Sequence, residues 1–111
     1  MPFEATYDEA KTLVNPMDAT PENLERGKKV FTVFCAVCHG PEGRGDGSVV
    51  PPFPTPPVLL AAHARELADG EIFHIVSRGR GLMPPYATQV NPSDRWKAVL
   101  YLRQLQKDNP L

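Results

Sequence analysis

Cys35-Ala36-Val37-Cys38-His39 constrains this chain more than any other stretch. Two thiols three residues apart on a helix share one face, and a histidine follows the second directly. Cys-x-x-Cys-His is the pattern by which a haem is attached covalently. Each thiol adds to a vinyl group of one porphyrin, and the adjacent imidazole can ligate the iron. A chain built on this motif has to fold around a flat apolar group and find a second iron ligand elsewhere.

Other uses of paired cysteines fit less well. Half of a zinc site and a thioredoxin-like redox site also contain Cys-x-x-Cys. Zinc needs further ligands, and the chain has only these two cysteines. His63 and His74 stand eleven residues apart, outside the usual zinc spacing. A thioredoxin fold needs a βαβ pattern, and no alternating strand pattern is present.

The sixth ligand follows from counting. Of the three methionines, Met1 is the start and Met17 lies upstream of the motif. Met83 sits in Gly79-Arg80-Gly81-Leu82-Met83-Pro84-Pro85-Tyr86, forty-four residues after His39. Pro84 biases Met83 away from helical geometry, and the neighbouring glycines let the chain pass close to a ring. An isolated methionine is usually core filler; paired with Cys-x-x-Cys-His it is the expected axial partner of His39. His63 is the competing ligand. On a helical projection Ile72, Phe73, Ile75 and Val76 cluster while His74 points the opposite way, so His74 is expected to face solvent.

Local signals predict an all-α chain. Residues 1–19 lack a period and read as an N-terminal arm or linker, with residues 20–111 as the folded domain. Thr20 can cap a helix with Pro21 at its first position. Leu24, Gly27, Lys28, Phe31 and Phe34 continue it into the cysteine motif, and the small Gly27 would admit a second helix. Gly40, Gly43, Gly45 and Gly47 then make turns, and five prolines between Pro51 and Pro57 stiffen an extended segment. A short helix is expected within Leu59–Leu67 and a firmer one over Asp69–Arg78, stopped by Gly79. The last helix starts with Asn91 as cap and Pro92 at its first position. Trp96, Val99, Leu100 and Leu105 are its predicted buried stripe.

Charge is uneven. Residues 1–25 carry six acids against Lys11, giving −5; residues 26–111 carry eleven bases and seven acids, giving +4. Ordinary surface charge accounts for this, and a mildly basic body docking on an acidic redox partner is the sharper reading. The bases are scattered without an aromatic platform, which argues against nucleic acid. No apolar run is long enough to cross a membrane. Haem attachment to this motif takes place outside the cytoplasm in bacteria, yet no export signal opens the chain. A signal peptide, lipid anchor or membrane helix is therefore expected to be missing from the sequence.

These residues resemble the class I cytochromes c over about residues 20–106: a helix ending in Cys-x-x-Cys-His, a Met-Pro loop and a C-terminal helix. The resemblance implies four or five helices around one haem c, held by Cys35 and Cys38 and ligated by His39 and Met83. Gly27 and Phe31 look like the family's glycine–aromatic pair, which packs on a tyrosine of the last helix, here Tyr101. Pro57-Val58-Leu59 looks like its Pro-x-Leu segment, implying that the Pro57 carbonyl accepts from His39 Nδ1 and that Leu59 packs on the porphyrin. Arg78, Arg80 and Tyr86 are candidates to bond the propionates.

Asn15-Pro16, Gly45-Asp46-Gly47, Asp69 to His74, Met83 to Tyr86 and Asp94-Arg95-Trp96 are further similar to the mono-haem cytochrome subunit of bacterial alternative complex III. Cytochrome c domains of caa3-type oxygen reductases are similar as well. The implied function is outer-sphere transfer of single electrons in a respiratory chain, without catalysis of its own. Implied partners are a quinol-oxidising complex, an oxygen reductase or a soluble cytochrome, at the periplasmic or outer face of the membrane. The alternatives are a haem-based sensor or peroxidase with a labile methionine, and a metal-free thiol oxidoreductase.

Overall fold

The computed structural model describes residues 13–50, 58–80 and 83–110. Helix α1 (Pro21–Val30) runs into one wider turn (Phe31–Cys35) and then into α2 (Ala36–His39). After a glycine-rich loop come α3 (Ala62–Arg65), α4 (Asp69–Arg78) and α5 (Pro92–Asp108). Among the described residues there is no strand, only a single bridge between Arg80 and Met83. The chain is all-α, as its pattern predicts. No helix among the described residues is long and apolar enough to cross a membrane.

The helix ends form where the local signals put them. Thr20 Oγ1 accepts from the Asn23 amide at 3.1 Å and Asn91 Oδ1 from the Asp94 amide at 2.9 Å. Each satisfies one of the amides that a helix start leaves open. Helix α4 begins differently: Ala68 has no capping oxygen, and Glu71 instead reaches back to accept from the Ala68 amide at 2.8 Å. Gly79, at φ 77°, ends it. Within Leu59–Leu67 the expected short helix is the single turn of α3.

Helix α1 crosses α5 at Gly27, where a Cβ would fall on the Lys97 carbonyl and stand 3.1 Å from Tyr101 Cβ. Phe31 packs on Tyr101 one turn later, ring centroids 5.4 Å apart. Arg26 and Asp94 tie the same crossing with two hydrogen bonds of 3.1 and 2.8 Å. Phe31, Leu60, Ile72, Val99, Leu102 and Leu105 form the main core. The end of the N-terminal arm is docked: Asn15 Nδ2 donates to the Trp96 carbonyl at 3.0 Å.

Two apolar faces differ from the helical projections. In α4, Phe73 turns away from Ile72, Ile75 and Val76 and stacks on Trp96, centroids 4.0 Å apart. The guanidinium of Arg95 also lies over that ring, 4.9 Å from its centroid, an electrostatically favourable contact. Helix α4 is therefore apolar on two sides, and His74 is half-buried rather than fully solvent-facing. In α5, Ala98 and Leu102 join the buried set while Leu100 stays half-exposed. That helix meets α1 on one side and α4 on another, which widens its buried face beyond one stripe.

Several bases counted as surface charge are structural donors. Arg65 donates to the Leu60 carbonyl at 2.6 Å, the Gln106 carbonyl at 2.7 Å and the Asn109 carbonyl. Arg103 binds Asp69 Oδ1 at 2.7 Å and the Leu67 carbonyl. Together they fasten α3 and the start of α4 to the end of α5.

Candidate functional site

The helical segment carrying the cysteine motif is shaped by two features. The first is the wide turn before Cys35, closed by the Ala36 amide on the Phe31 carbonyl, an i→i+5 bond of the kind often found at functional sites. The second is the way the helix ends. The carbonyls of Ala36, Val37, Cys38 and His39 accept from the amides of Gly40, Val49, Gly47 and Gly45 at 2.9, 3.2, 3.1 and 2.7 Å. A helix end normally leaves its last four carbonyls open. Here the glycine-rich loop closes around all of them and fixes the orientation of the motif.

On the opposite side, the chain after α4 turns back on itself. Arg80 and Met83 exchange two backbone bonds of 3.1 and 3.0 Å, and the Tyr86 amide donates to the Val76 carbonyl at 2.9 Å. Gly79 is pressed against this loop, where a Cβ would stand 2.6 Å from the Met83 carbonyl oxygen. Tyr86 crosses to the cysteine helix, its hydroxyl donating to the Phe34 carbonyl at 3.2 Å. Its ring meets Phe34 edge-on with centroids 5.7 Å apart.

Between these walls lies a cavity of about 540 Å³, within the usual range for cofactor sites. Cys35, Cys38 and His39 line it from one side, Arg80, Met83 and Tyr86 from another, and Leu59 closes a third. The remaining lining is largely apolar, from Phe31 and Phe34 through Ile72, Ile75 and Val76 to Ala98, Val99 and Leu102. His63, exposed on α3, also reaches the rim. His74 lies outside, beside a smaller hollow with Ile75, Gly79 and Arg80. The Pro57 contact to His39 falls outside the described residues. Arg78 is exposed at the end of α4 and does not line the cavity.

The donor set suits a haem c. Two cysteines and a histidine stand together at a large apolar cavity, with a thioether on a distant segment facing the same space. It suits thiol chemistry poorly. Burial, with the neighbouring Cys38 adding to it, pushes the Cys35 thiol up to about 12, whereas reactive thiols have lowered values. Among the described residues no group of three or more His, Cys, Asp or Glu side chains is placed so that it could hold a metal ion directly.

What the sequence did not announce is the Tyr86–Phe34 contact and the wide turn it meets. The only available signal was an aromatic residue three positions after the methionine.

Comparison with known proteins bears on the family and the fold. A profile of the family described as cytochrome C oxidase, cbb3-type, subunit III matches residues 22–102. Among solved structures, a chain of the Kuenenia stuttgartiensis reducing HAO-like protein complex is similar, with a TM-score of 0.69 and 25% identity. The match covers 81% of this chain and 46% of that one, so the chain spans about half the length of its structural neighbour. No curated protein matches.

Proposed function

Since this chain belongs to the cytochrome c family typified by subunit III of the cbb3-type cytochrome c oxidase, we propose that it is a mono-haem, His/Met-ligated electron carrier. Family membership implies a covalently bound haem c and electron transfer through it. The finer reading rests on one observation: Cys35, Cys38 and His39 share a largely apolar cavity with Met83, although the methionine comes from a distant loop.

A bound haem c supplies a reversible one-electron couple between ferric and ferrous iron. Cys35 and Cys38 would hold it through thioether bonds, and His39 and Met83 would occupy the two axial positions. A thioether is a weak donor that favours ferrous iron, so this pair raises the reduction potential. Ile72, Ile75, Val76, Ala98 and Val99 line the cavity with apolar surface, and low polarity would disfavour the net positive ferric centre in the same direction. With His39 and Met83 both held by the iron, neither oxygen nor a substrate would have a place to bind. The chemistry the group would supply is outer-sphere electron transfer, and Cys38 is the more exposed of the two cysteines that would hold it.

The partners would be proteins of a respiratory chain, with the domain acting as a subunit or fused domain of a larger membrane complex at the periplasmic face. Alternative complex III and caa3-type oxygen reductases are the contexts its motifs favour. The structural neighbour is described as part of a protein complex, which supports a role beside redox partner proteins.

Replacing Met83 with alanine tests the ligand assignment. The haem should stay attached while the potential falls, the weak far-red ferric band disappears and ferrous iron takes up carbon monoxide. An unchanged spectrum with no carbon monoxide binding would remove Met83 from the iron.

A further inference from the structure

The wide turn before Cys35 creates a deficit that can be counted. The Ala36 amide bonds the Phe31 carbonyl and the Gly40 amide bonds the Ala36 carbonyl. Between those two bonds lie the amides of Val37, Cys38 and His39 and the carbonyls of Thr32, Val33, Phe34 and Cys35. Three donors face four acceptors, so the four carbonyls cannot each have a helical amide of their own. A polar backbone group left without a donor near an apolar cavity is unfavourable. Tyr86 supplies the missing donor: its hydroxyl meets the Phe34 carbonyl at 3.2 Å.

We infer that Tyr86 is a latch that holds the methionine loop against the cysteine helix, and so positions Met83 on the iron. The inference rests on Met83 being the axial ligand. Tyr86 is suited to this role by where each part of it is fastened. Its amide is bonded to Val76 of α4 at 2.9 Å, and its carbonyl accepts from the amides of Gln89 and Val90. Its ring packs edge-on to Phe34, and its hydroxyl reaches the residue directly before Cys35. Met83 is three residues upstream of this anchor and is otherwise joined to Arg80 by two backbone bonds. That pairing is internal to the loop and ties it to nothing across the cavity. The Tyr86 side chain spans from the methionine loop to the cysteine helix. The wide turn and the tyrosine form one device, since regular α spacing would leave no surplus carbonyl.

The test compares three ferric proteins carrying covalent haem: the unsubstituted chain, Tyr86→Phe, and Thr88→Ala as a control in the same loop. Phenylalanine keeps the ring contact with Phe34 and removes only the hydroxyl. Imidazole is added, and loss of the far-red band gives the rate at which methionine leaves the iron. One neutral hydrogen bond corresponds to about a five-fold change. Tyr86→Phe should therefore release methionine about five-fold faster, while Thr88→Ala behaves like the unsubstituted protein. Equal rates in all three overturn the latch, even if Tyr86→Phe is less stable to denaturant, because a merely structural bond would change unfolding without changing ligand exchange. An unsubstituted protein that lacks the far-red band and binds carbon monoxide at once overturns the axial assignment itself. A second measurement needs no variant. In the diamagnetic ferrous protein the Tyr86 hydroxyl proton should give a slowly exchanging resonance. A hydroxyl proton in fast exchange with water overturns the proposal.

Discussion

Asp94 performs two tasks at the crossing of α1 and α5. Its amide is the one Asn91 caps, and its carboxylate receives both hydrogen bonds from Arg26. The hydrogen bond from Arg26 holds its carboxyl below the usual carboxylate range, with burial opposing and the charges of Arg26 and Lys97 assisting. A carboxylate whose folded value is depressed adds stability above its unfolded value, near 3.9, and loses it as pH falls towards the folded value. Asp94→Asn is therefore expected to be less stable than the parent from about pH 7 down to about pH 4, with the gap narrowing only below that. Guanidinium unfolding of both proteins at about pH 7 and at about pH 3 checks this. A gap that stays constant or widens in acid would mean that the ion pair does not stabilise the fold.

At the scale of elements, Gly27 sets how closely α1 approaches α5. Because a Cβ there would meet the Lys97 backbone rather than a movable side chain, Gly27→Ala must push the helices apart. Overpacking of this kind costs about 1–3 kcal/mol, to be read from the unfolding midpoint of the haem-bearing protein. An alanine variant as stable as the parent would show that the crossing can slide. The same elements show what a sequence can and cannot disclose. The starts at Thr20-Pro21 and Asn91-Pro92 and the stop at Gly79 were legible because each depends on chemistry within one turn. Gly27 and Phe31 were legible as a pair only through family likeness, and their contact with Tyr101 is present. The rotation of Phe73 onto Trp96 was not legible, because four apolar residues in a five-residue run fit two faces equally well. The wide turn at Phe31–Cys35 has no residue signature either. It is the packing of Phe34 against Tyr86, fifty-two residues away, that gives it a partner.

The whole molecule is organised around its cavity rather than around a continuous apolar core. Phe31 of the wide turn, Ala64 of α3, Ile72 of α4 and Val99 and Leu102 of α5 all present side chains to the same space. Phe31, Ile72, Val99 and Leu102 also belong to the main core. Left without an occupant, a largely apolar space of about 540 Å³ would expose apolar side chains to water, which is unfavourable. Without its haem the chain should therefore collapse into the space and lose fixed packing, while keeping helices whose caps are local. The variant with Cys35 and Cys38 both changed to serine, produced without haem, is expected to retain part of its far-ultraviolet circular dichroism. It should lose near-ultraviolet signal from Trp96 and bind a hydrophobic dye, the behaviour of a molten globule. Sharp, cooperative unfolding of that variant with its near-ultraviolet spectrum intact would mean that α1, α4 and α5 pack on one another without a group between them. The cavity would then be an open cleft on a self-sufficient helical core, and the reading of the fold as a shell around a cofactor would fail.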